Sequence, residues 1–199
     1  MTEPIASRST RNDLWLILTL GALAAVYVLA TTIARVFEIF GGSEIAVPVH
    51  FAPTDLAIDG SSSTLSISVD EGVARVSQLP VATFVSVLLA ALVPAVASLV
   101  VIGCVMVVFR RVLDGDPFAP GTAKLVTISA FAIVGGWASS LLFDTMASNG
   151  ALAIAAPGSD VMVAFQVSWL PVLVAAAVAA LATLIRSGEK MRADTEGLV

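Results

Sequence analysis

Residues 81–109 read VATFVSVLLAALVPAVASLVVIGCVMVVF and contain no charged side chain. A helix rises about 1.5 Å per residue, so about 20 apolar residues are enough to cross about 30 Å of hydrocarbon. Three further charge-poor runs have a comparable length, at residues 14–34, 125–143 and 161–185. This pattern predicts a helical membrane protein with four transmembrane helices.

The overall composition excludes several classes of protein. Hydrophobic residues make up 58% of the 199 residues, even before the 14 glycines are counted. Charged residues make up only 13%, whereas a soluble domain has about 25%. A disordered chain, a basic nucleic-acid-binding domain and an ordinary soluble enzyme are therefore disfavoured.

The inventory of reactive residues is also small. The sequence has one cysteine, Cys104, and one histidine, His50, so no His/Cys spacing for zinc or haem can occur. We find no motif for a nucleophilic triad or for a phosphate-binding loop. We therefore expect a non-enzymatic protein with no catalytic residues, no cofactor, no metal site and no direct contact with nucleic acid.

The basic residues predict how the chain is oriented. Eight of the ten Lys and Arg residues flank the apolar runs on one side, which by the positive-inside rule is the cytoplasm. We expect a multi-pass protein of the bacterial inner membrane with both termini in the cytoplasm. The predicted segments are a cytoplasmic N-terminus at 1–13, helix one at 14–37, an outer β-rich insert at 38–80, helix two at 81–109, a cytoplasmic loop at 110–124, helix three at 125–146, an outer loop at 147–160, helix four at 161–185 and a cytoplasmic tail at 186–199. The first charge-free run is longer than the apolar region of a typical signal peptide, which has roughly 7–15 residues, so we expect an uncleaved first helix, although its cleavage stays open.

The outer insert has a β pattern. Residues 64–69 alternate strictly between polar and apolar side chains, as half-buried strands do. In residues 45–51, β-branched or aromatic side chains alternate with other residues, although Pro48 favours an edge position. Asp70-Glu71-Gly72 is typical of a turn, and residues 59–63 form a second turn-like stretch. We predict a small β-hairpin or sheet of three or four strands. It is too small to be stable alone, so it should pack on the helix ends.

The cytoplasmic loop and the tail contain the clearest candidates for a partner contact. Asp114-Gly115 is a turn signal, and the aromatic ring of Phe118 should fold back onto the helix ends. Arg110 and Arg111 could bind anionic headgroups. The alternatives are a tight connector and a frayed terminus. We hypothesise that loop and tail form one surface with these partner-contact residues: Asp114, Gly115, Asp116, Pro117, Phe118, Glu189, Arg192 and Glu196.

A second candidate site lies toward the outer end of helices three and four. If a ligand cleft exists there, we expect it near Trp137, Ser140, Asp144 and Gln166. The alternative is that small residues such as Gly135 and Gly136 only let the helices pack closely.

Two sequence blocks carry a resemblance to a known family. The loop reads RVLDGDPF at 111–118, and the tail reads GEKMRADTEGLV at 188–199. With four spans and a β-rich insert after the first, the chain resembles the small bacterial membrane proteins called domain of unknown function 2975. The resemblance implies an integral membrane protein of undetermined activity whose partner is a small helix-turn-helix regulator.

Three functional hypotheses follow. The leading one is a regulatory or scaffolding protein that contacts a cytoplasmic protein through the loop at 114–118 and the tail. The others are an accessory subunit of a larger membrane complex or transporter, and an outer-face sensor of ligands or of the envelope. The lipid bilayer is a partner in all three, and association with further copies of the chain stays open.

Overall fold

The computed structural model describes residues 8–42, 44–59, 64–157 and 167–196. Four helices and one two-stranded sheet form in these ranges. The elements in chain order are α1 Arg8–Gly41, β1 Ile45–Asp59, β2 Thr64–Val76, α2 Val81–Leu113, α3 Thr122–Ala155 and α4 Leu170–Glu196.

The predicted number of long apolar helices is confirmed within the described ranges. The stretches that are long and apolar enough to cross a membrane are Leu14–Gly41, Val81–Leu113, Thr122–Ala155 and Leu170–Thr195. The helices also extend beyond the charge-free runs, because a charged side chain at a helix end does not interrupt the backbone hydrogen bonds. The helix α4 also includes most of the charged tail, since it reaches Glu196.

The prediction of an outer loop at 147–160 is wrong for residues 147–155, which belong to α3. Asn149-Gly150 has the composition of a turn, but a Cβ atom on Gly150 would overlap the side chain of Thr83. This glycine therefore allows α2 and α3 to approach closely. The helix ends only at Ala155, two residues before Pro157, and a proline disfavours helical geometry in the residue before it.

The predicted start of helix four at residue 161 needs a correction as well. Residues 158–166 lie outside the described part of the chain, and residues 167–169 are not helical. The helix α4 begins at Leu170. Pro171 lies in its first turn, where the missing N–H would have no partner within the helix in any case.

The β-rich insert between α1 and α2 has two strands in the described ranges instead of three or four. β1 and β2 pair antiparallel from Ile45 opposite Val76 to Asp59 opposite Thr64. Asp70-Glu71-Gly72 lies inside β2, so the predicted turn there is wrong. The strand pairing is irregular in β1 instead, where the register shifts between His50 and Thr54. This segment includes Pro53, which has no N–H to donate to the ladder.

The chain divides into two compact units, which are described separately. The described residues of unit 1 are 8–32, 94–137 and 169–196, and those of unit 2 are 33–59, 64–93, 138–157 and 167–168. In unit 2 the hairpin packs on the helices, as predicted. Side chains from the two strands and from α1, α2 and α3 form one buried apolar cluster in unit 2: Ile39, Val47, Val49, Val76, Val87, Ala147 and Ala151.

Two hydrogen bonds attach β1 to the helices of unit 2. The guanidinium of Arg35 donates to the carbonyl oxygen of Ala46. The hydroxyl of Ser148, which is 1% exposed, donates to the carbonyl oxygen of Pro48 over 3.1 Å. Because these bonds come from α1 and α3, they hold the base of the hairpin against both helix ends.

Candidate functional site

The loop after α2 begins with a left-handed glycine. Gly115 has a φ of 79°, as its turn signal predicted. Its N–H donates to the carbonyl oxygen of Val112 over 3.1 Å, and the N–H of Asp116 donates to that of Arg111 over 2.9 Å. This pair of bonds is a common way of ending a helix, and Pro117 prevents the helix from resuming. The turn therefore sets the direction of the backbone after α2, and with it the position of Asp116.

Arg111 connects the two ends of this loop. Its Nη1 atom donates to Oγ1 of Thr122 over 2.7 Å and to the carbonyl oxygen of Pro120 over 3.3 Å. The hydroxyl of Thr122, which is fully buried, donates in turn to the carbonyl oxygen of Ala119 over 2.8 Å. The Arg111 guanidinium thus stabilises the loop, and the binding of anionic headgroups by Arg110 and Arg111 stays a prediction.

The C-terminal part of α4 contacts the same loop through an ion pair. Arg192 donates from Nη1 to a carboxylate oxygen of Asp116. Their side chains are 41% and 37% exposed, so water screens the attraction. Pairs of this kind contribute about 0–1 kcal/mol. The pair therefore orients the tail more than it stabilises the fold.

A close packing contact lies next to this ion pair. A Cβ atom on Gly188 would lie only 2.6 Å from the ring atoms Cδ1 and Cε1 of Phe118. The aromatic ring thus folds back, as predicted, and it packs on a position of α4 that has no side chain. Phe118 keeps 42% of its surface exposed.

The third contact is a helix cap from a distant residue. Oε1 of Glu189 accepts a hydrogen bond of 2.8 Å from the backbone N–H of Ala123, in the first turn of α3. The first N–H groups of a helix have no partner within the helix, and the positive end of the helix dipole attracts a carboxylate. Glu189 therefore anchors α4 to the start of α3.

These contacts show that the loop and the tail pack together, and their role as a partner contact stays a prediction. We call Asp116, Phe118, Gly188, Glu189 and Arg192 the loop–tail surface. Of the other predicted partner residues, Gly115 and Pro117 shape the turn, and the side chain of Glu196 lies outside the described part. Asp114 lies apart, because it lines a groove between α1 and α2.

Sequence reasoning missed Gly188 and Arg111. The residues around Gly188 do not indicate that the ring of Phe118 packs on it. Arg110 and Arg111 are adjacent and identical in type, so the sequence does not indicate which of them binds within the loop. Both roles depend on contacts between segments that are far apart in the chain.

The predicted outer cleft is assembled only in part. Asp144 lines a cavity of about 160 Å³ in unit 2, together with Arg35, Val47, Pro48 and Ala147. Ser140 is not among the residues that line this cavity, and Trp137 belongs to unit 1. Gln166 lies outside the described residues. Among the residues that the structure describes, no group of three His, Cys, Asp or Glu side chains could hold a metal ion.

Comparison with protein-family models, curated proteins and solved structures found no match to this chain. The likeness to domain of unknown function 2975 therefore depends on the two sequence blocks at 111–118 and 188–199, together with the four spans and the β-rich insert.

Proposed function

We propose that this chain is a four-span protein of the bacterial cytoplasmic membrane that presents its loop–tail surface to a soluble cytoplasmic protein. The role is regulatory or scaffolding and involves no enzymatic reaction. The observation that carries the proposal is the joining of loop and tail by three separate contacts, namely the Asp116–Arg192 ion pair, the Phe118–Gly188 packing and the Glu189 cap.

Residence in the membrane is supported by the exposed apolar side chains of the helices. Tyr27, Phe131 and Leu184 are 70%, 76% and 70% exposed, on three different helices. In water each large apolar side chain left uncovered would forgo about 1.5–3 kcal/mol of burial free energy. Hydrocarbon removes that cost, so these positions fit contact with lipid.

The orientation is supported by charge. Arg110, Arg111 and Lys124 lie around the loop after α2, and Arg186, Lys190 and Arg192 lie in the last turns of α4. Basic residues beside apolar spans are retained on the cytoplasmic side. The loop–tail surface therefore faces the cytoplasm, and the hairpin faces the outside.

The chemistry of the surface fits a protein partner. Phe118 in the loop and Met191 in the charged part of α4 are apolar side chains that are 42% and 65% exposed. Charged residues such as Lys190 and Arg192 lie beside Met191 in the chain. An aromatic residue and a methionine inside a polar rim are common in protein interfaces. The family resemblance implies that the partner is a small helix-turn-helix regulator.

Purification of the tagged chain from its native bacterium in mild detergent tests this proposal. We expect a soluble regulator to co-purify with the unaltered chain, and to be lost with Phe118→Ala and with deletion of residues 189–199. Phe131→Ala, which also truncates an exposed ring, is the matched control and should retain the regulator. If Phe118→Ala and Phe131→Ala retain the same soluble protein equally, the loop–tail surface is not the contact. If large membrane subunits co-purify instead of a soluble regulator, the result would favour the hypothesis that the chain is an accessory subunit of a larger membrane complex.

A second candidate, a sensor on the outer face, is favoured by the cavity beside Asp144 and Arg35. Its volume of about 160 Å³ suits only a small ligand. If a ligand binds there, it should raise the unfolding temperature of the chain, because binding to the folded state stabilises it. Asp144→Asn should abolish that rise.

A further inference from the structure

A groove of about 790 Å³ lies between α1 and α2 in unit 1. Its walls are one face of each helix, because the lining residues are spaced three or four apart along the chain. They include Trp15, Leu18 and Ala22 of α1, and Met106 and Arg110 of α2, with Asp114 directly after α2.

The apolar end of the groove is bounded by a close helix contact. A Cβ atom on Gly21 would lie 3.1 Å from Cγ of Met106, so α1 and α2 nearly touch at this level. Trp15 lies more than a helical turn before Gly21, and Arg110 lies one turn after Met106. The groove therefore runs from an apolar, closed end among the spans to a charged end at the start of the loop.

The charged end offers one cation and one anion. The N–H of Asp114 donates to the carbonyl oxygen of Arg110 over 2.9 Å, so the two residues are one helical turn apart. Side chains at this spacing are neighbours, about 5–6 Å apart at Cβ. The ion pairs found between described residues do not include either of them. Arg111, by contrast, binds within the loop.

We propose that this groove binds one phosphatidylethanolamine molecule. The phosphodiester anion pairs with the Arg110 guanidinium, the primary ammonium donates to the Asp114 carboxylate, and an acyl chain lies along Leu18, Ala22 and Met106. The proposal rests on the membrane residence proposed above.

The pair of opposite charges decides between headgroups. Phosphatidylglycerol brings an anion for Arg110 but no cation for Asp114, whose carboxylate would face a second anion. Phosphatidylcholine carries its positive charge on a quaternary nitrogen, which has no N–H to donate. Only a headgroup with a primary ammonium gives charge-assisted hydrogen bonds to both residues.

Trp15 is a built-in fluorescent reporter, because it lines the groove and is 57% exposed. We would replace Trp137 and Trp169 by phenylalanine and reconstitute the chain in phosphatidylcholine vesicles. A small fraction of the lipid would carry brominated acyl chains on ethanolamine, glycerol or choline headgroups. We expect brominated phosphatidylethanolamine to reach half-maximal quenching at a fraction about fivefold lower than brominated phosphatidylcholine.

Two variants separate the two charges. Asp114→Asn should abolish the preference for ethanolamine over choline. Arg110→Gln should weaken quenching by both the ethanolamine and the glycerol lipid. The matched controls Arg186→Gln and Asp194→Asn remove exposed charges of α4 and should leave the preference unchanged.

Three results would overturn the proposal. Equal quenching by all three lipids would mean that Trp15 contacts bulk lipid only, and strongest quenching by the glycerol lipid would mean a simple anion site. Either of these two results would contradict the lipid site but not the proposed residence in the membrane. If vesicles made wholly of brominated phosphatidylcholine fail to quench Trp15, the chain does not reside in the bilayer, and the proposed function fails as well.

Discussion

Glu189 Oε1 accepts a 2.8 Å hydrogen bond from the backbone N–H of Ala123, so a residue of α4 caps the first turn of α3. The two residues are 66 positions apart in sequence. The bond joins the C-terminal part of α4 to the start of α3, directly after the loop. It is one of three contacts that position the tail, beside the Asp116–Arg192 ion pair and the packing of Phe118 on Gly188.

Removal of this carboxylate should destabilise the chain measurably. We expect Glu189→Ala to lower the free energy of unfolding by about 0.5–2 kcal/mol, the usual cost of losing a helix cap. Glu189→Gln keeps an acceptor oxygen and should cost less. Unfolding in detergent, followed by circular dichroism, measures the difference. Asp194→Ala removes an exposed acid of the same helix and is the control; an equal loss in Asp194→Ala and Glu189→Ala would refute the cap.

The Asp116–Arg192 pair should show a small, salt-dependent coupling. A double-mutant cycle with Asp116→Asn and Arg192→Gln should give about 0.2–1 kcal/mol at low salt. The coupling should decrease in 1 M salt, where the screening length is about 3 Å. A coupling that is unchanged by salt would argue that packing of the two side chains, not charge, holds the tail.

Adjacent glycines in α3 should respond oppositely to the same substitution. A Cβ atom on Gly136 would lie 2.5 Å from Cβ of Ala97, whereas one on Gly135 meets nothing within 4 Å. Gly136→Ala should destabilise the chain by about 1–3 kcal/mol through overpacking. Gly135→Ala should stabilise it by up to about 1 kcal/mol through helix propensity. Thermal unfolding of the two variants side by side tests this, and similar shifts in both would contradict the close approach of α2 and α3.

The orientation can be tested with single cysteines in a chain whose Cys104 is replaced by alanine. Glu71 is an exposed residue of β2, and Lys190 is an exposed residue of the tail. We expect a membrane-impermeant maleimide to label Glu71→Cys in intact spheroplasts. Lys190→Cys should react only after permeabilisation, because basic flanks stay in the cytoplasm. Labelling of Lys190→Cys in sealed cells would reverse the proposed topology.

Part of the loop and of the loop–tail surface can be predicted from sequence because its causes are local. Asp114-Gly115 predicts a turn because few residues other than glycine adopt a positive φ at low cost. Phe118 was expected to fold back because an exposed ring gains free energy when it is buried. The β-hairpin was only half predicted, because turn chemistry at Asp70-Glu71-Gly72 is a local preference that the pairing of Gly72 with Val49 overrides.

Local composition specifies the four long apolar helices, the β-rich insert and the charged ends, since each depends on the free energy of burying or solvating a run of neighbouring residues. The three-dimensional packing alone shows that Glu189 caps α3, that Gly188 receives the ring of Phe118, and that Gly150 packs against Thr83 instead of forming a turn. These contacts join residues that are far apart in the chain. Their existence depends on how the helices pack, which no local pattern of residues specifies.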